Sequence, residues 1–203
     1  MTHFLTKAMR LFSKGRVTNL VESPSGSMDT PPQNVSPTTV GTTSKADQMQ
    51  NSTKLSKNFT LGELTYSETA ERLGIDNTPD SEQVSNLKVL TTELLQPIRD
   101  RIKRPIVISS GFRSLELNRK LKSEDDSQHL AGQAADIKAL GLTNYQLAKY
   151  IVDSGLDFDQ LILEFYSGPG TGWVHLSRKR GKNRREVLTI NKSGVSLGLV
   201  DHG

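Results

Sequence analysis

The 203-residue chain contains no cysteine, so disulfide bonds and thiolate metal ligands are excluded. No apolar run is long enough to predict a membrane-spanning helix, and no unbroken apolar segment near the N-terminus predicts a secretory signal. Aromatic residues make up only 5% of the chain, which argues against a base-stacking nucleic-acid interface. These absences leave histidine and carboxylate side chains as the available metal ligands.

The net charge of +4 is distributed unevenly along the chain. Residues 1–57 hold seven Lys and Arg against three Asp and Glu, whereas residues 58–203 hold nineteen of each. The excess positive charge therefore belongs to the N-terminal segment, and the remainder does not indicate a basic, nucleic-acid-binding enzyme core. We accordingly expect no nucleic-acid partner.

Residues 1–57 predict a tail rather than part of a folded domain. Near the N-terminus, five apolar residues share one helical face: Phe4, Leu5, Ala8, Met9 and Phe12. This face fits either a short amphipathic helix that contacts a membrane or partner, or a weak solvated helix. Residues 21–57 are polar and predict a disordered linker, because they cannot bury enough apolar surface to offset the entropy of ordering. We therefore expect a basic tail over 1–57 and a folded domain over 58–203.

The domain shows alternating helix and strand signals. Thr60 and Thr143 predict helix starts, and an apolar stripe of helical period predicts a long helix that Pro97 should kink. The stripe consists of Leu87, Leu90, Leu94, Ile98 and Ile102. The predicted strands are 105–109, 134–137, 159–165, 173–177 and 186–190, and the last dozen residues predict no element. The mixture predicts an α+β fold, in which a small, mainly antiparallel sheet bears the site and helices pack on one side.

The stretch 127–136 reads S-Q-H-L-A-G-Q-A-A-D and separates His129 from Asp136 by seven positions. In an α-helix this spacing corresponds to roughly 10 Å along the axis, at about 1.5 Å per residue. Both side chains could not then reach one zinc ion through bonds of about 2 Å. A shared site requires a chain reversal, and Gly132 can adopt the backbone angles that a reversal needs.

A second stretch, W-V-H-L-S at 173–177, alternates as a strand does and places Trp173, His175 and Ser177 on one face. His175 is therefore a candidate third ligand. Two imidazoles, one carboxylate and an open fourth position are typical of a catalytic zinc site rather than a structural one.

Three motifs resemble those of the LAS-type zinc peptidases, which include D-alanyl-D-alanine carboxypeptidases and dipeptidases and phage L-alanyl-D-glutamate endolysins. The order and spacing of the motifs make the resemblance specific, and it covers roughly residues 59–190. The residues that match S-x-H-x-x-G-x-A-x-D are Ser127, His129, Gly132, Ala134 and Asp136. His175 matches the W-x-H motif, and S-G-F-R-S at 110–114 resembles the S-G-[YF]-R-S segment.

The resemblance implies one zinc ion (Zn²⁺), bound by His129, Asp136 and His175, and peptidoglycan stem peptides as substrate. It also implies that Arg113 binds or polarises the substrate, and we expect Ser127 and Trp173 to take part in substrate binding. The expected reaction is zinc-assisted amide hydrolysis of the carboxypeptidase or endopeptidase type, carried out by a monomer.

The catalytic base is the point at which this chain departs from the family pattern. Several members carry a carboxylate three positions before the last histidine, and here that residue is Gly172. Some relatives instead use an acid on the preceding strand, which here is Glu164. On an alternating strand, Leu163 and Phe165 should lie on the face opposite to Glu164. An acid on a largely apolar strand suits proton transfer, because its charged form is disfavoured, but it also fits a structural salt bridge. Asp157 and Asp159 are the alternative bases.

A basic segment follows the second motif at residues 178–185 and carries six Lys and Arg. We interpret it as the solvated tip of a hairpin. The alternative is attraction to an anionic cell wall or to nucleic acid.

The lack of a secretory signal leads us to expect a protein made in the cytoplasm that acts at the cell wall or periplasm, or a phage lytic or virion-associated enzyme. The tail would then contact a membrane, wall or virion. The alternative is a non-catalytic wall-binding or virion structural module that retains the fold. The loss of an acid at Gly172 favours this alternative, whereas the complete ligand set argues for an enzyme.

Overall fold

A six-stranded sheet forms the centre of the structure, a computed structural model that describes residues 52–201. Its strands lie in the order β1-β2-β4-β3-β5-β6, and every neighbouring pair is antiparallel except the parallel pair β3 and β5. The α+β class and the mainly antiparallel sheet are thus confirmed. The strands are β1 (Ile106–Ser110), β2 (Ala134–Ala139), β3 (Gln160–Glu164), β4 (Trp173–Ser177), β5 (Glu186–Asn191) and β6 (Gly194–Leu197).

The helices begin where the capping signals predict. The side chains of Thr60 and Thr143 each accept a hydrogen bond from the amide three residues on. The Glu63 and Gln146 side chains in turn accept one from the Thr60 and Thr143 amides. Across residues 52–201, no helix combines the length and the apolar character that crossing a membrane would require. The helices are α1 (Leu61–Thr65), α2 (Glu68–Leu73), α3 (Ser81–Leu90), α4 (Gln96–Ile102), α5 (Leu115–Lys120) and α6 (Asn144–Asp153).

A π-helical segment, Thr91–Leu95, joins α3 to α4 and accommodates Pro97. Proline has no amide hydrogen, and its ring clashes with the carbonyl four residues earlier in a regular α-helix. Here the Gln96 amide donates to the Thr91 carbonyl five residues back, which widens the turn before the proline. The predicted helix defect at Pro97 therefore takes the form of a π-helical turn.

The apolar stripe of this long helix packs on one face of the sheet. Leu87, Leu90, Leu94 and Ile98 are fully buried, together with Leu147 and Ile151 of α6. The sheet residues in the same core are Ile106, Ala135, Ile137, Ala139, Leu161, Leu163, Val174 and Leu176. Because side chains alternate along a strand, the opposite face of β2 and β4 presents Asp136 and His175.

The packed region is longer than expected at both ends. Leu55 is buried in the core and its amide donates to the Phe59 carbonyl, so packing begins before the expected boundary at residue 58. At the other end β6 pairs with β5. The prediction that the last dozen residues form no element is therefore wrong for the four residues of β6. The predicted amphipathic helix and most of the predicted disordered linker lie outside the described residues.

Candidate metal centre

Three buried side chains converge on one point: His129, Asp136 and His175. His129 Nε2 lies 3.2 Å from both His175 Nδ1 and Asp136 Oδ1, and His175 Nδ1 lies 3.0 Å from the same oxygen. The three side chains that the sequence predicts to share a zinc ion are therefore brought together.

Strand register places two of the three converging side chains next to each other. Asp136 on β2 is directly opposite His175 on β4, so their side chains leave the sheet side by side. His129 comes from the loop before β2, where Gly132 has a φ of +67° and its amide donates to the His129 carbonyl. The chain reversal predicted at Gly132 is confirmed, since positive φ is accessible to glycine at little cost.

Helix α3 holds this loop through contacts that the sequence did not reveal. Gln83 donates from its side-chain Nε2 to the Leu130 carbonyl at 3.1 Å, and Asn86 donates from Nδ2 to the Ala131 carbonyl at 3.0 Å. A Cβ at Gly132 would lie only 2.6 Å from the Gln83 carbonyl oxygen. Gly132 is thus required both for the turn and for the close approach to α3.

The spacing of the three ligand atoms fits zinc. Bonds of about 2.0–2.1 Å in a tetrahedral arrangement separate ligand atoms by about 3.3 Å. The three observed separations are 3.0–3.2 Å. The His129 Nδ1–H also donates to the Gly111 carbonyl at 2.6 Å, which leaves the Nε2 lone pair directed at the other two ligands. The residues present therefore suit the metal that the motifs imply.

The buried cluster shifts the pKa values of all three side chains, in different directions. Burial lowers the pKa of His129 and favours its neutral, ligating form. Burial opposes ionisation of Asp136, yet the facing imidazoles of His129 and His175 hold the pKa of this carboxyl well below its usual range. For His175, burial lowers the pKa, but the hydrogen bond and charge of Asp136 outweigh this and raise it. The Asp136 carboxyl is thus anionic at neutral pH.

Arg113 reaches the cluster from the loop after β1. Its Nη2 donates to Asp136 Oδ2 at 2.7 Å, its Nε to Ser110 Oγ at 2.8 Å and its Nη1 to Ser123 Oγ at 3.2 Å. The structure thus places Arg113 at the site, where its charged partner is a candidate zinc ligand. Its expected action on substrate stays a prediction.

Glu164, the last residue of β3, lies opposite Trp173, while Ile162 lies opposite His175. The alternation along β3 therefore puts Glu164 on the face that carries the ligands. Burial raises the pKa of Glu164 to about 7; the positive charges of His175 and Arg113 oppose this rise, and the Asp136 carboxylate adds to it. Such a pKa is suited to accepting and returning a proton at neutral pH.

Phe165 departs from the predicted strand. Its φ of +51° ends β3, and its side chain is 41% exposed instead of facing the core. Its ring centroid lies 5.2 Å from that of Trp173. Two aromatic side chains therefore lie next to Glu164. Strand alternation continued through this position predicts a buried Phe165, and the positive φ of the residue overrides that pattern.

Position 172 has no room for a side chain. Gly172 has a φ of +66°, and an added Cβ would collide with the Glu164 carbonyl oxygen and lie 2.7 Å from the Phe165 carbonyl carbon. Asn144, at the start of α6, fixes this loop by donating to the Thr171 and Gly172 carbonyls at 2.6 and 2.9 Å. The acid that several relatives carry at this position is therefore incompatible with the local backbone.

The two alternative bases are held in ion pairs. Asp157 accepts from Arg178 at 2.6 Å, and Asp159 accepts from Arg184 at 2.6 Å and from Lys179 at 3.1 Å. Neither joins the converging ligand group within the described residues. Ser127 is partly exposed and its carbonyl accepts from the Leu130 amide in the turn that carries His129. Its proposed contact with substrate stays a prediction.

A comparison with protein families supplies independent support. The family model described as Peptidase M15 matches residues 57–177, which is more than half of the chain. The matched region contains the three converging side chains, Arg113 and Glu164. A comparison with curated proteins found no match. With the ligand geometry, the motif order and the extent of the match in agreement, the chain belongs to the peptidase M15 family of LAS-type zinc peptidases.

Proposed function

We propose that this protein hydrolyses amide bonds in peptidoglycan stem peptides, as a D-Ala-D-Ala carboxypeptidase or an L-Ala-D-Glu endopeptidase. The observation that carries the proposal is the convergence of His129, Asp136 and His175 on the sheet face that also presents Glu164. Membership of the M15 family supports the peptidase activity, and the three motifs support the substrate class.

The ligand set defines where the chemistry takes place. Zinc held by His129, Asp136 and His175 would supply Lewis-acid chemistry, which activates water and polarises a carbonyl oxygen. The protein's contribution is to hold the three ligand atoms within 3.2 Å of one another. The Gly111 carbonyl fixes the orientation and tautomer of His129.

Glu164 acts as the general base and then as the general acid. It accepts a proton from the attacking water and returns it to the amine of the departing peptide. Its raised pKa of about 7 makes both transfers accessible near neutral pH. The ion pairs of Asp157 and Asp159 keep those carboxylates ionised and directed at cations, so Glu164 fits this role best.

Arg113 orients the substrate. A guanidinium presents several N–H donors in a planar fork, and Arg113 is fixed by Ser110, Ser123 and Asp136. Donors held in this way can bind a substrate carboxylate or stabilise an oxyanion with little reorganisation. Ser127 and Trp173 complete the substrate contacts.

A second candidate function is a non-catalytic wall-binding or virion module, which the absence of an acid at Gly172 favours. The structure accounts for that absence sterically, and Glu164 offers a carboxylate on the ligand-bearing face. The enzyme is therefore the better supported of the two functions.

Digestion of purified peptidoglycan tests both functions. Wild-type protein with one bound zinc per chain should release products whose masses identify the bond cleaved and separate the carboxypeptidase from the endopeptidase. His129→Ala should lose both the metal and the products, whereas His3→Ala, which changes a histidine outside the motifs, should keep both. Stoichiometric zinc without any cleavage would establish the binding module instead.

The tail, in this proposal, localises the enzyme to a membrane, wall or virion and takes no part in catalysis. A flexible linker of about 35 residues spans on the order of 30 Å, so it would tether the domain without restricting it. Removal of residues 1–51, which spares the buried Leu55, should leave hydrolysis of soluble stem peptides unchanged and weaken activity on intact envelopes. Equal loss on both substrates would instead place the tail in the catalytic unit.

A further inference from the structure

Asp159 lies outside the ligand group yet is buried, and it connects two separate parts of the chain. Its Oδ2 accepts from Gln128 Nε2 at 3.0 Å and from Arg184 Nη2 at 2.6 Å. Its Oδ1 accepts from the Arg184 amide at 3.1 Å and lies 3.1 Å from Lys179 Nζ. Gln128 immediately precedes His129, whereas Lys179 and Arg184 belong to the basic segment 178–185.

The basic segment is exposed over most of its length, as interpreted, but it is not the tip of a hairpin, because β4 and β5 are not neighbours in the sheet. Its cations also make contacts within the domain. Arg178 pairs with Glu93 and Asp157, and Arg180 donates to Ser85 Oγ. Lys179 and Arg184 bind Asp159, and Arg185 donates to the Leu156 carbonyl at 2.7 Å, so five of the six cations bind protein groups through their side chains. These contacts favour a role of the segment in the packing of the domain over attraction to an anionic partner.

The same segment makes a second contact with the loop that carries His129. The Arg178 amide donates to the Gln133 carbonyl at 2.9 Å, and the Gln133 amide donates to the Gln128 carbonyl at 3.0 Å. The loop is therefore fixed at both of its ends from the side of the basic segment. Gln83 and Asn86 of α3 fix its middle.

We propose that Gln128 and Asp159 are positioning residues that hold His129 in the geometry required for zinc binding. The side chain of Gln128 ties the backbone beside His129 to a buried carboxylate, and the basic segment keeps that carboxylate in place. Loss of this tie would let the loop rotate and move His129 Nε2 away from Asp136 and His175. The proposal rests on zinc binding at the site and is independent of which peptide bond is cleaved.

Gln160 provides a matched control for Gln128. It is buried on β3, and its Nε2 donates to the Glu186 carboxylate at 2.6 Å, so Gln160→Leu removes the same kind of hydrogen bond. Among the described residues, the Gln160 side chain donates to Glu186 and makes no hydrogen bond to the loop 127–133. The two leucine variants therefore differ in whether the lost bond holds His129.

The test measures zinc affinity of the full-length protein by competition with a chelator. Gln128→Leu should weaken zinc binding about tenfold or more, the effect typical of partners that orient metal ligands, and Gln160→Leu should leave it unchanged. Thermal unfolding of the zinc-free proteins should show a similar decrease in melting temperature in the two variants. A difference in zinc affinity then reflects the position of His129 and not a general loss of stability.

Unchanged zinc affinity in Gln128→Leu, or an equal loss in both variants, would overturn the proposal. If Gln128→Leu does not fold, Gln128→Asn replaces it, because its shorter polar side chain cannot span the distance to Asp159. Because zinc affinity is measured without substrate, the result stands even if peptidoglycan is not cleaved. Absence of zinc binding in the wild type would refute both the proposed function and this inference.

Discussion

The Asp136 carboxylate is shared between Arg113 and the candidate metal site. Arg113 Nη2 donates to Asp136 Oδ2 at 2.7 Å, while Asp136 Oδ1 faces both histidines. The guanidinium side chain and the carboxylate side chain are only 12% and 7% exposed, so little water screens the pair. The arginine therefore orients the carboxylate of a candidate metal ligand.

The Arg113→Lys variant should accordingly lose both activity and zinc affinity. An ammonium cannot contact Ser110, Ser123 and Asp136 together, and the loss of hydrogen bonds to a charged group predicts a fall in kcat/KM of about tenfold or more. Enzyme kinetics and chelator competition measure the two effects. Arg119→Lys, which changes an exposed pair with Asp125, is the control and should match the wild type. Full activity in Arg113→Lys would show that a simple positive charge suffices.

The Glu164→Gln variant should keep its fold and its zinc but lose activity by at least about a hundredfold, the usual contribution of a general base. Glutamine preserves the shape of the side chain but cannot accept the proton. The measurements are kcat on stem peptide and the zinc content of the purified protein. Asp157→Asn should retain activity, because Asp157 belongs to the pair with Arg178. The reverse pattern would move the base to Asp157.

Gly172 should tolerate alanine less well than another glycine of the same backbone conformation. Gly74 has a φ of +63° with open space around its Cα, whereas Gly172, at +66°, faces the backbone of residues 164–166. Gly74→Ala should cost about 1–2 kcal/mol from the left-handed conformation alone. Gly172→Ala should lower the free energy of unfolding further, because the collision adds to this cost. Urea denaturation of both variants measures the difference, and equal losses would show that the loop relaxes freely.

Asp159 should make the stability of the fold depend on acid pH. Burial would raise the pKa of Asp159, but the hydrogen bonds from Arg184 and Lys179 outweigh it and lower the pKa from 3.8 to about 2. A depressed pKa contributes stability that is present above pH 3.8 and lost as the pH falls through about 2. The shift corresponds to about 2 kcal/mol.

The measurement is the free energy of unfolding of wild type and Asp159→Asn across this range. The wild type should be more stable than Asp159→Asn at neutral pH, and the difference in free energy of unfolding should decrease as the pH falls below 3.8. A gap of constant size would assign the effect of the substitution to packing rather than to ionisation.

Local signals in the sequence predicted most of the elements and the three side chains that converge. The caps at Thr60 and Thr143 and the strand 173–177 depend on neighbours a few residues apart, so a single stretch of sequence contains all the information. The motif around His129 and Asp136 likewise indicated a reversal at Gly132, which the structure confirms.

Contacts between distant segments were not predictable in this way. Gln128 meets a carboxylate 31 residues away, and Gln83 meets a carbonyl 47 residues away, yet neither glutamine stands out in the sequence. Pro97 predicts a defect in its helix, but whether a kink or a π-helical turn results depends on how both halves pack. The parallel pairing of β3 with β5 depends on the route of the chain across the sheet, which composition does not specify.

The direct pairing of Asp136 with His175 has a consequence for the mechanics of the sheet. Sliding β2 by one residue along β4 would turn the Asp136 carboxylate into the apolar core and remove it from His175. An ion bound to both strands would oppose such sliding, and it would stabilise the native register in proportion to the logarithm of free zinc. Resistance of the central strands to proteases and to amide hydrogen exchange would then rise and fall with the zinc supply of the surroundings.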